Sequence, residues 1–257
     1  MKDLKISLVQ TALIWQQAKA NCDYLAELLI SDNTNTDLIV LPEMFNSGFT
    51  LNASKVAETM EGETIAWMKK LSANHDAAVT GSLVICENNI NYNRMVIAFP
   101  DGQTQYYDKK HLFRMANEHK RYGSGNERVV IQWRDWRIAL YVCYDLRFPV
   151  WCRNQNDTDL MLFVASWPAA RASAWQILLR ARAMENLCYV CGVNRIGRDA
   201  NDIDYQGDSG VIDMAGDDVT QLGAADCLET VTLSADSLAQ FRKRFPTFLD
   251  ADSFSIS

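Results

Sequence analysis

The stretch WRIALYVCYDLRFP, residues 136–149, ends an apolar run at Cys143 and continues at once with charged residues and a proline. The apolar run predicts a strand, which pairs with the preceding run ERVVIQW (127–133). The strand therefore stops where a reactive side chain stands. Because the chain has seven cysteines, the first question is whether Cys143 differs from the others.

The rest of the chain alternates between strand-like and helix-like segments, with hairpins mixed in. Residues 93–109 predict a hairpin, because Asp101-Gly102 is a strong tight-turn signal. Ser173 is the expected N-cap of one helix. Further strands are predicted over 4–10, 37–42, 77–85, 159–166, 188–195, 207–214 and 228–234, and helices over 16–31, 62–74, 173–187 and 237–245. Roughly ten to twelve strands are many for one open sheet, so we expect two packed sheets with helices outside, a four-layer α-β-β-α sandwich.

The composition is that of an ordinary globular protein. The chain has 257 residues, 48% of them hydrophobic and 22% charged, and it contains no linker, repeat or low-complexity tract. We therefore expect a single domain over residues 1–257. The net charge of −7 and the lack of a basic stripe argue against nucleic acid or an anionic membrane as a partner.

Location in the cell is predicted from the N-terminus and the cysteines. The opening segment MKDLKISLVQ carries Asp3 and no long apolar run, so it predicts a first strand and not a signal peptide. No uncharged apolar stretch approaches the roughly 18 residues of a membrane span. An odd number of scattered cysteines favours reduced thiols, and hence the cytoplasm.

Three predicted strands are each followed by a residue whose side chain can take part in catalysis. DLIVLP is followed by Glu43, QTQYYD by Lys109 and WRIALYV by Cys143. Since the crevice beyond the carboxyl ends of strands is a common place for binding and chemistry, the three side chains are expected to converge. Taken singly, each has an ordinary alternative, namely an acid at a strand end, a solvated lysine and a buried structural thiol.

The segments around these residues resemble a known family. LPEMFNSGF (41–49), YDKKHLF (107–113), CYDLRFP (143–149) and ARAMEN (181–186) are similar to the signatures of the nitrilase superfamily. Its members are carbon–nitrogen hydrolases with a Glu-Lys-Cys triad in an α-β-β-α sandwich. The chain looks most like the omega-amidase branch, whose enzymes hydrolyse the terminal amide of 2-oxo-dicarboxylic monoamides such as 2-oxoglutaramate.

The resemblance implies a role for individual residues. The triad is Glu43, Lys109 and Cys143, and an additional glutamate of many members matches Glu118. Val150 stands where family motifs often have an acid, outside the triad, so altered packing without loss of chemistry is expected. The resemblance implies neither a metal nor an organic cofactor.

These residue types suit amide hydrolysis. A cysteine is a stronger nucleophile than water, but with a pKa near 8.5 it is mostly protonated at neutral pH. Glu43 would accept the thiol proton, deliver a proton to the departing ammonia and then activate water. Lys109 would favour the thiolate and stabilise the oxyanion together with the backbone N–H of Tyr144.

A substrate carboxylate would be bound best by a planar guanidinium. Arg147 and Arg171 are the candidates, and Trp167 and Phe45 would wall the pocket. Each has an alternative. Arg147 would instead pair with Asp145 or another acid, Arg171 would be a solvated loop charge, and the aromatic rings would be core residues.

Two other thiol arrangements are compatible with the sequence. One is a Cys143–His111 dyad, although it would leave Glu43 unused. Cys188 and Cys191 match the redox spacing C-x-x-C, but that motif normally opens a helix, whereas here it lies in a β-favouring run. They are expected to be structural thiols, and zinc would require a second closely spaced pair of ligands that the sequence lacks.

The leading hypothesis is a cytoplasmic thiol amidase acting on a small-molecule amide. Alternatives with the same triad are an N-carbamoyl-amino-acid amidohydrolase, a nitrilase and an aliphatic amidase. A ligand-binding sandwich protein without activity is the alternative outside the enzymes. The resemblance also implies a homodimer formed near ARAMEN, and the tail over 246–257 would pack at that interface.

Overall fold

The computed structural model of the chain describes residues 1–32 and 35–255 and contains two six-stranded sheets. In the first sheet, one short central strand runs parallel to both of its neighbours. Its strands, in spatial order, are β14 (Cys227–Leu233), β1 (Leu4–Gln10), β2 (Leu38–Val40), β3 (Ala78–Glu87), β4 (Ile90–Ala98) and β5 (Thr104–Asp108). β1 and β14 pair antiparallel over their full length, from Leu4 opposite Leu233 to Gln10 opposite Cys227.

The second sheet has three parallel strands at its centre. In spatial order it contains β13 (Asp218–Gln221), β12 (Gly210–Ile212), β9 (Tyr189–Asn194), β8 (Leu160–Ala165), β7 (Trp136–Val142) and β6 (Val130–Trp133). A separate two-stranded ribbon consists of β10 (Ile196–Arg198) and β11 (Asp204–Gln206). The helices are α1 (Ala18–Asp32), α2 (Ala53–Val56), α3 (Glu63–His75), α4 (Ala172–Asn186) and α5 (Ala235–Arg244).

The two sheets pack face to face, with helices on both outer sides. Alternation along β2 shows the layering: Leu38 and Val40 belong to the apolar cluster shared with the second sheet, whereas Ile39 belongs to the cluster with α1 and α3. On the other side, Trp175 and Leu179 of α4 pack against the second sheet. The α-β-β-α sandwich expected from the sequence is confirmed.

The sequence-based elements are present, with three differences. α4 begins at Ala172, directly after a 3₁₀ turn over Ala169–Arg171, so Ser173 lies within its first turn. The expected N-cap at Ser173 is therefore wrong, and Arg171 occupies the cap position without a side-chain hydrogen bond. The short strands β10, β11 and β13 and the short helix α2 were missed. A second hairpin joins β3 to β4 through Asn88 and Asn89, both at positive φ.

All seven cysteines are free. Cys188 and Cys191 are fully buried in the larger apolar cluster, and burial raises the pKa of the Cys188 thiol to about 12. Both are packing residues, in agreement with the structural interpretation. In the described part of the chain, no helix is long and apolar enough to cross a bilayer. Residues 256 and 257 of the predicted interfacial tail lie outside the described residues.

A buried carboxylate anchors α5 to the start of β8. Asp159 accepts hydrogen bonds from the guanidinium of Arg137 at 2.8 and 2.7 Å and from Arg242 at 2.6 Å. Burial alone would raise the pKa of Asp159, but the bonds from the two arginines outweigh it and lower the pKa below 3.8. A lowered native pKa means that this carboxylate stabilises the fold above pH 3.8, and that the stabilisation is lost as the pH falls through the native value.

We predict that Asp159→Asn lowers the free energy of unfolding by about 2 kcal/mol at neutral pH. The value is below that of a fully buried pair because Arg137 is partly exposed. The difference from the wild type should narrow as the pH falls below 3.8 and through the lower native pKa, at which the native carboxylate becomes protonated. Urea unfolding at neutral and at acidic pH measures both, and an equal difference at the two pH values would contradict this interpretation.

Candidate active site

Glu43, Lys109 and Cys143 meet at a cavity of about 350 Å³ beyond the ends of three strands. Lys109 directly follows β5 and Cys143 directly follows β7, whereas Glu43 comes three residues after β2. The first sheet thus supplies the carboxylate and the ammonium, and the second sheet supplies the thiol. The three strand ends therefore meet at one cavity, which is what their positions in the sequence led us to expect.

Lys109 lies between two buried carboxylates. Its Nζ is 2.9 Å from Oε1 of Glu43 and 3.0 and 3.1 Å from the two oxygens of Glu118. All three side chains are almost completely buried. Burial alone would lower the pKa of Lys109, but the charges of Glu118 and Glu43 outweigh it and hold the pKa well above its usual value. The ammonium is therefore charged at all physiological pH values.

Glu118 shares the ammonium and faces a second negative charge. Burial raises its pKa, Lys109 opposes the rise, and the charge of Glu43 adds to it, so that the net pKa is raised. The backbone N–H of Phe113 donates to Oε2 of Glu118 at 2.5 Å. The sequence-based assignment of Glu118 to this site agrees with its position beside Lys109.

The Glu43 carboxylate is fixed from two further directions. Asn93 Nδ2 donates to its Oε1 at 2.7 Å, and the backbone N–H of Ser166 donates to its Oε2 at 2.8 Å. Sequence reasoning missed both residues. Asn93 lies in the polar first half of β4, beside Arg94, and offers no signal in the sequence. Ser166 ends the predicted strand 159–166 in the manner of the other site residues, which is a signal.

Cys143 occupies a backbone conformation that favours glycine. Its φ is +45° at the first residue of a 3₁₀ turn, Cys143–Arg147, which is uncommon for a residue with a side chain. Burial raises the pKa of its thiol well above the usual range, and the charge of Glu43 raises it further, with only Lys109 acting in the opposite direction among the nearest charges. The resting side chain is consequently a neutral thiol and not a thiolate.

The ARAMEN segment holds this turn from the helix side. Arg182 of α4 is buried, and its Nη2 donates to the carbonyl of Leu146 at 2.6 Å. Its Nη1 pairs with Glu185 at 2.8 Å. The ARAMEN motif therefore stabilises the turn that begins at Cys143, and its residues do not line the cavity.

Two guanidiniums and several aromatic rings form the cavity wall. Arg147 lies over the ring of Trp167, 4.8 Å from its centre, and Arg171 lies 5.3 Å from the centre of the Phe113 ring. Within the described residues, neither arginine is within ion-pairing distance of a carboxylate. The alternative pairing of Arg147 with Asp145 is wrong, because Asp145 accepts its hydrogen bonds from other groups. Tyr144 also lines the cavity.

Phe45 does not line this cavity, so that expectation is wrong. It is fully buried on the helix side of the first sheet, where its ring centre is 5.8 Å from that of Trp67. Met44, at φ +47°, reverses the chain so that the Phe45 side chain lies against Gly81. Phe49, four residues later, faces the cavity instead, with its ring centre 5.5 Å from Nζ of Lys109.

His111 is engaged elsewhere. Its Nδ1 is 2.8 Å from Oδ1 of Asp145, and its ring stacks on Phe148 with the centres 3.6 Å apart. Among the described residues, His111 makes no hydrogen bond to Cys143, whereas Glu43 lines the same cavity as the thiol. A Cys143–His111 dyad is not formed.

The rim of the cavity is apolar. Met115 follows the Lys109 segment and is 71% exposed, and Ile203 of the β10–β11 loop is 38% exposed. Sequence reasoning missed both the ribbon and this rim. Among the described residues, no group of three or more His, Cys, Asp or Glu side chains has the arrangement of a metal site.

Comparison with known proteins agrees with this geometry. The chain is 48% identical over 256 residues to the omega-amidase YafV of Yersinia enterocolitica, covering 99% of each chain. It is 29% identical over 250 residues to the 2-oxoglutaramate amidase of Bacillus subtilis (strain 168), covering 95% of this chain and 96% of that protein.

Among solved structures, a carbon–nitrogen hydrolase superfamily protein from Xanthomonas campestris has a TM-score of 0.98 at 49% identity, with full coverage of both chains. That crystal structure contains an arsenic adduct in its active site. The profile of the carbon-nitrogen hydrolase family matches residues 5–243. This chain belongs to the carbon–nitrogen hydrolase family.

Proposed function

We propose that the protein hydrolyses the terminal amide of 2-oxo-dicarboxylic acid monoamides, such as 2-oxoglutaramate and 2-oxosuccinamate, through a thioester on Cys143. The observation that carries the proposal is a Glu43–Lys109 ion pair of 2.9 Å beside a cysteine, at a cavity with two unpaired guanidiniums. The similarity to omega-amidase YafV and to a 2-oxoglutaramate amidase supports the substrate class.

The first step joins nucleophilic attack to proton transfer. Since the pKa of the Cys143 thiol is raised, a thiolate is not available in advance. As Sγ bonds to the amide carbon, Glu43 accepts the thiol proton and the carbonyl π electrons move to oxygen. Asn93 and the N–H of Ser166 hold Glu43 in one orientation, so the acceptor is in place before the substrate arrives.

Lys109 stabilises the resulting oxyanion. It keeps its charge because two carboxylates raise its pKa, and the backbone N–H of Tyr144 is the second expected donor. Glu118 is an auxiliary residue that holds Lys109 in position through bonds of 3.0 and 3.1 Å.

The remaining steps return the enzyme to its resting state. Glu43 gives its proton to the amide nitrogen, the C–N bond breaks and ammonia leaves, so that a thioester remains. Water then attacks the thioester carbon while Glu43 accepts a proton from it. The C–S bond breaks, the product leaves as a carboxylic acid, and the thiol regains its proton.

The distal end of the substrate carries a carboxylate. Arg147 and Arg171 are the proposed readers of this group, because each lines the cavity without a carboxylate partner among the described residues. Both guanidiniums lie against aromatic rings, of Trp167 and Phe113 respectively, which holds the planar donor groups in place while leaving their edges to bind an anion.

The mechanism predicts that Cys143→Ala reduces ammonia release from 2-oxoglutaramate by about 10³-fold or more, and that Glu43→Gln reduces it by about 10²–10⁴-fold because no base accepts the thiol proton. The assay compares 2-oxoglutaramate with glutamine, a carbamoyl amino acid and a simple nitrile. Mass spectrometry of the quenched reaction should detect the acyl adduct on Cys143.

Cys86→Ala is the matched control, since Cys86 is a free thiol away from the cavity lining. It should keep wild-type activity. Full activity of Cys143→Ala, or an acyl adduct on another cysteine, would contradict the mechanism. Preference for the carbamoyl compound or the nitrile would keep the mechanism and replace the substrate.

Charge recognition predicts a second result. Arg171→Ala or Arg147→Ala should raise KM for 2-oxoglutaramate about tenfold or more through the loss of a charge-assisted hydrogen bond. The same change should have little effect on a neutral aliphatic amide of equal length. If KM and kcat for 2-oxoglutaramate stay at wild-type values in both variants, neither arginine binds the carboxylate.

We further propose that the protein is a homodimer located in the cytoplasm. In each protomer the whole chain, residues 1–257, would form one domain. The family resemblance around ARAMEN supports the dimer, and so do two exposed apolar side chains. Ile177 of α4, the helix that carries ARAMEN, is 62% exposed, and Leu249 of the C-terminal segment is 73% exposed. Seven free thiols suit a reducing compartment.

The dimer proposal predicts that Ile177→Glu or Leu249→Glu shifts the protein toward monomer in light scattering, because a charge would be buried against apolar surface. Ile30→Glu is the control, as Ile30 is 71% exposed on α1 in the opposite outer layer. A wild type that is monomeric at micromolar concentration would exclude the proposal.

A further inference from the structure

A buried carboxylate that is absent from the mechanism joins the cysteine turn to the lysine segment. Asp145 is completely buried, two residues after Cys143. Its carboxylate receives four hydrogen bonds, from the N–H of Val142 at 3.0 Å, the hydroxyl of Tyr107 at 2.7 Å, and the N–H and Nδ1 of His111 at 2.9 and 2.8 Å.

The four donors come from the two sides of the site. Val142 is the last residue of β7 and directly precedes Cys143, in the second sheet. Tyr107 and His111 stand two residues before and two residues after Lys109, which follows β5, an edge strand of the first sheet. One carboxylate thus connects both flanks of the lysine with the residue before the cysteine.

The charge of Asp145 is balanced by hydrogen bonds. In the described part of the chain, no lysine or arginine lies within ion-pairing distance of it, and His111 is its one partner that can carry a charge. A buried anion in this situation depends on its donors. These donors are themselves fixed, since the Tyr107 hydroxyl also accepts from Trp151 Nε1 at 3.0 Å and His111 stacks on Phe148.

The cysteine turn requires such a restraint. Cys143 has φ +45°, and strained backbone persists only where the surroundings over-determine it. Arg182 restrains the far end of the turn through Leu146, but Asp145 binds the amide that enters it. Through Tyr107 and His111, the same carboxylate also fixes the turn relative to the strand end that carries Lys109, which belongs to the other sheet.

We propose that Asp145 is a positioning residue, whose carboxylate sets the Cys143 thiol relative to Lys109 and Glu43 by bonding Val142, Tyr107 and His111 together. The inference rests on the proposed function, in which Cys143 attacks the substrate. A displacement of about 1 Å in a reacting atom costs roughly 10²-fold in rate, so the expected effect of losing this link is on kcat and much less on KM.

The test is Asp145→Asn, which keeps the shape of the side chain but turns one acceptor oxygen into a donor facing N–H and O–H groups. We expect kcat for 2-oxoglutaramate to fall about 10²-fold with KM within a few-fold of wild type. The rate at which iodoacetamide labels Cys143 at neutral pH should also change, because a displaced thiol lies at other distances from Glu43 and Lys109, which line the same cavity.

Asp159→Asn is the matched control: it makes the same substitution at a buried carboxylate in the second sheet, at the end of β8 away from Ser166. It should lower stability while leaving kcat and the labelling rate of Cys143 unchanged. Circular dichroism and thermal unfolding establish that each variant is folded at the assay temperature.

Wild-type kcat and labelling in a folded Asp145→Asn variant would overturn the inference, and so would a loss of kcat that only follows the unfolded fraction. If Asp145→Asn does not fold, two other variants test the link. Tyr107→Phe removes the hydroxyl bond to Asp145, together with the bonds that this hydroxyl accepts from Trp151 and Lys110. His111→Phe replaces the imidazole by a phenyl ring and removes the Nδ1 bond to Asp145, and wild-type kcat in both variants would likewise overturn the inference. A wild type inactive on every amide tested would refute the proposed function instead.

Discussion

The structure of the site depends on one buried ammonium. Lys109 forms ion pairs with both Glu43 and Glu118, which would otherwise be two adjacent buried carboxylates without a cation. Removing either charge type from such a cluster leaves an uncompensated buried ion, which is among the costliest changes in a protein interior. The three charged side chains therefore depend on one another to remain buried at these strand ends. Asn93 and the backbone amide of Ser166 complete the hydrogen bonds of Glu43.

The same cluster explains why the cysteine is neutral at rest. Two carboxylates against one ammonium leave no surplus positive charge to stabilise a thiolate, and burial adds to the penalty. Reactivity is instead conditional on a substrate, whose carbonyl carbon takes the electrons of sulfur as Glu43 takes the proton. Such a thiol is protected from adventitious electrophiles and oxidants, which react mainly with thiolates.

The sequence allowed Glu43, Lys109 and Cys143 to be predicted because each follows a strand whose apolar pattern is local, and because the four motif segments resemble one family. The layered fold followed from the number and alternation of the strands. The position of Phe45 could not be predicted, since it depends on the positive φ of Met44, which no side-chain pattern encodes. The roles of Asn93, Ser166 and Asp145 were missed for another reason: they depend on partners that lie far away in the sequence.

The pairing of β1 with β14 has a consequence for the order in which this catalyst comes into being. Ser7 meets Thr230 across 223 residues of sequence, and β1 lies between β14 and β2 in the sheet that presents Glu43 and Lys109. During synthesis, an edge of that sheet stays unpaired until almost the whole chain has left the ribosome. Pairing between strands that are distant in sequence is slow compared with the formation of local hairpins. We therefore expect Cys143, Glu43 and Lys109 to reach their active arrangement late. A chain truncated before β14 would contain these residues without that arrangement.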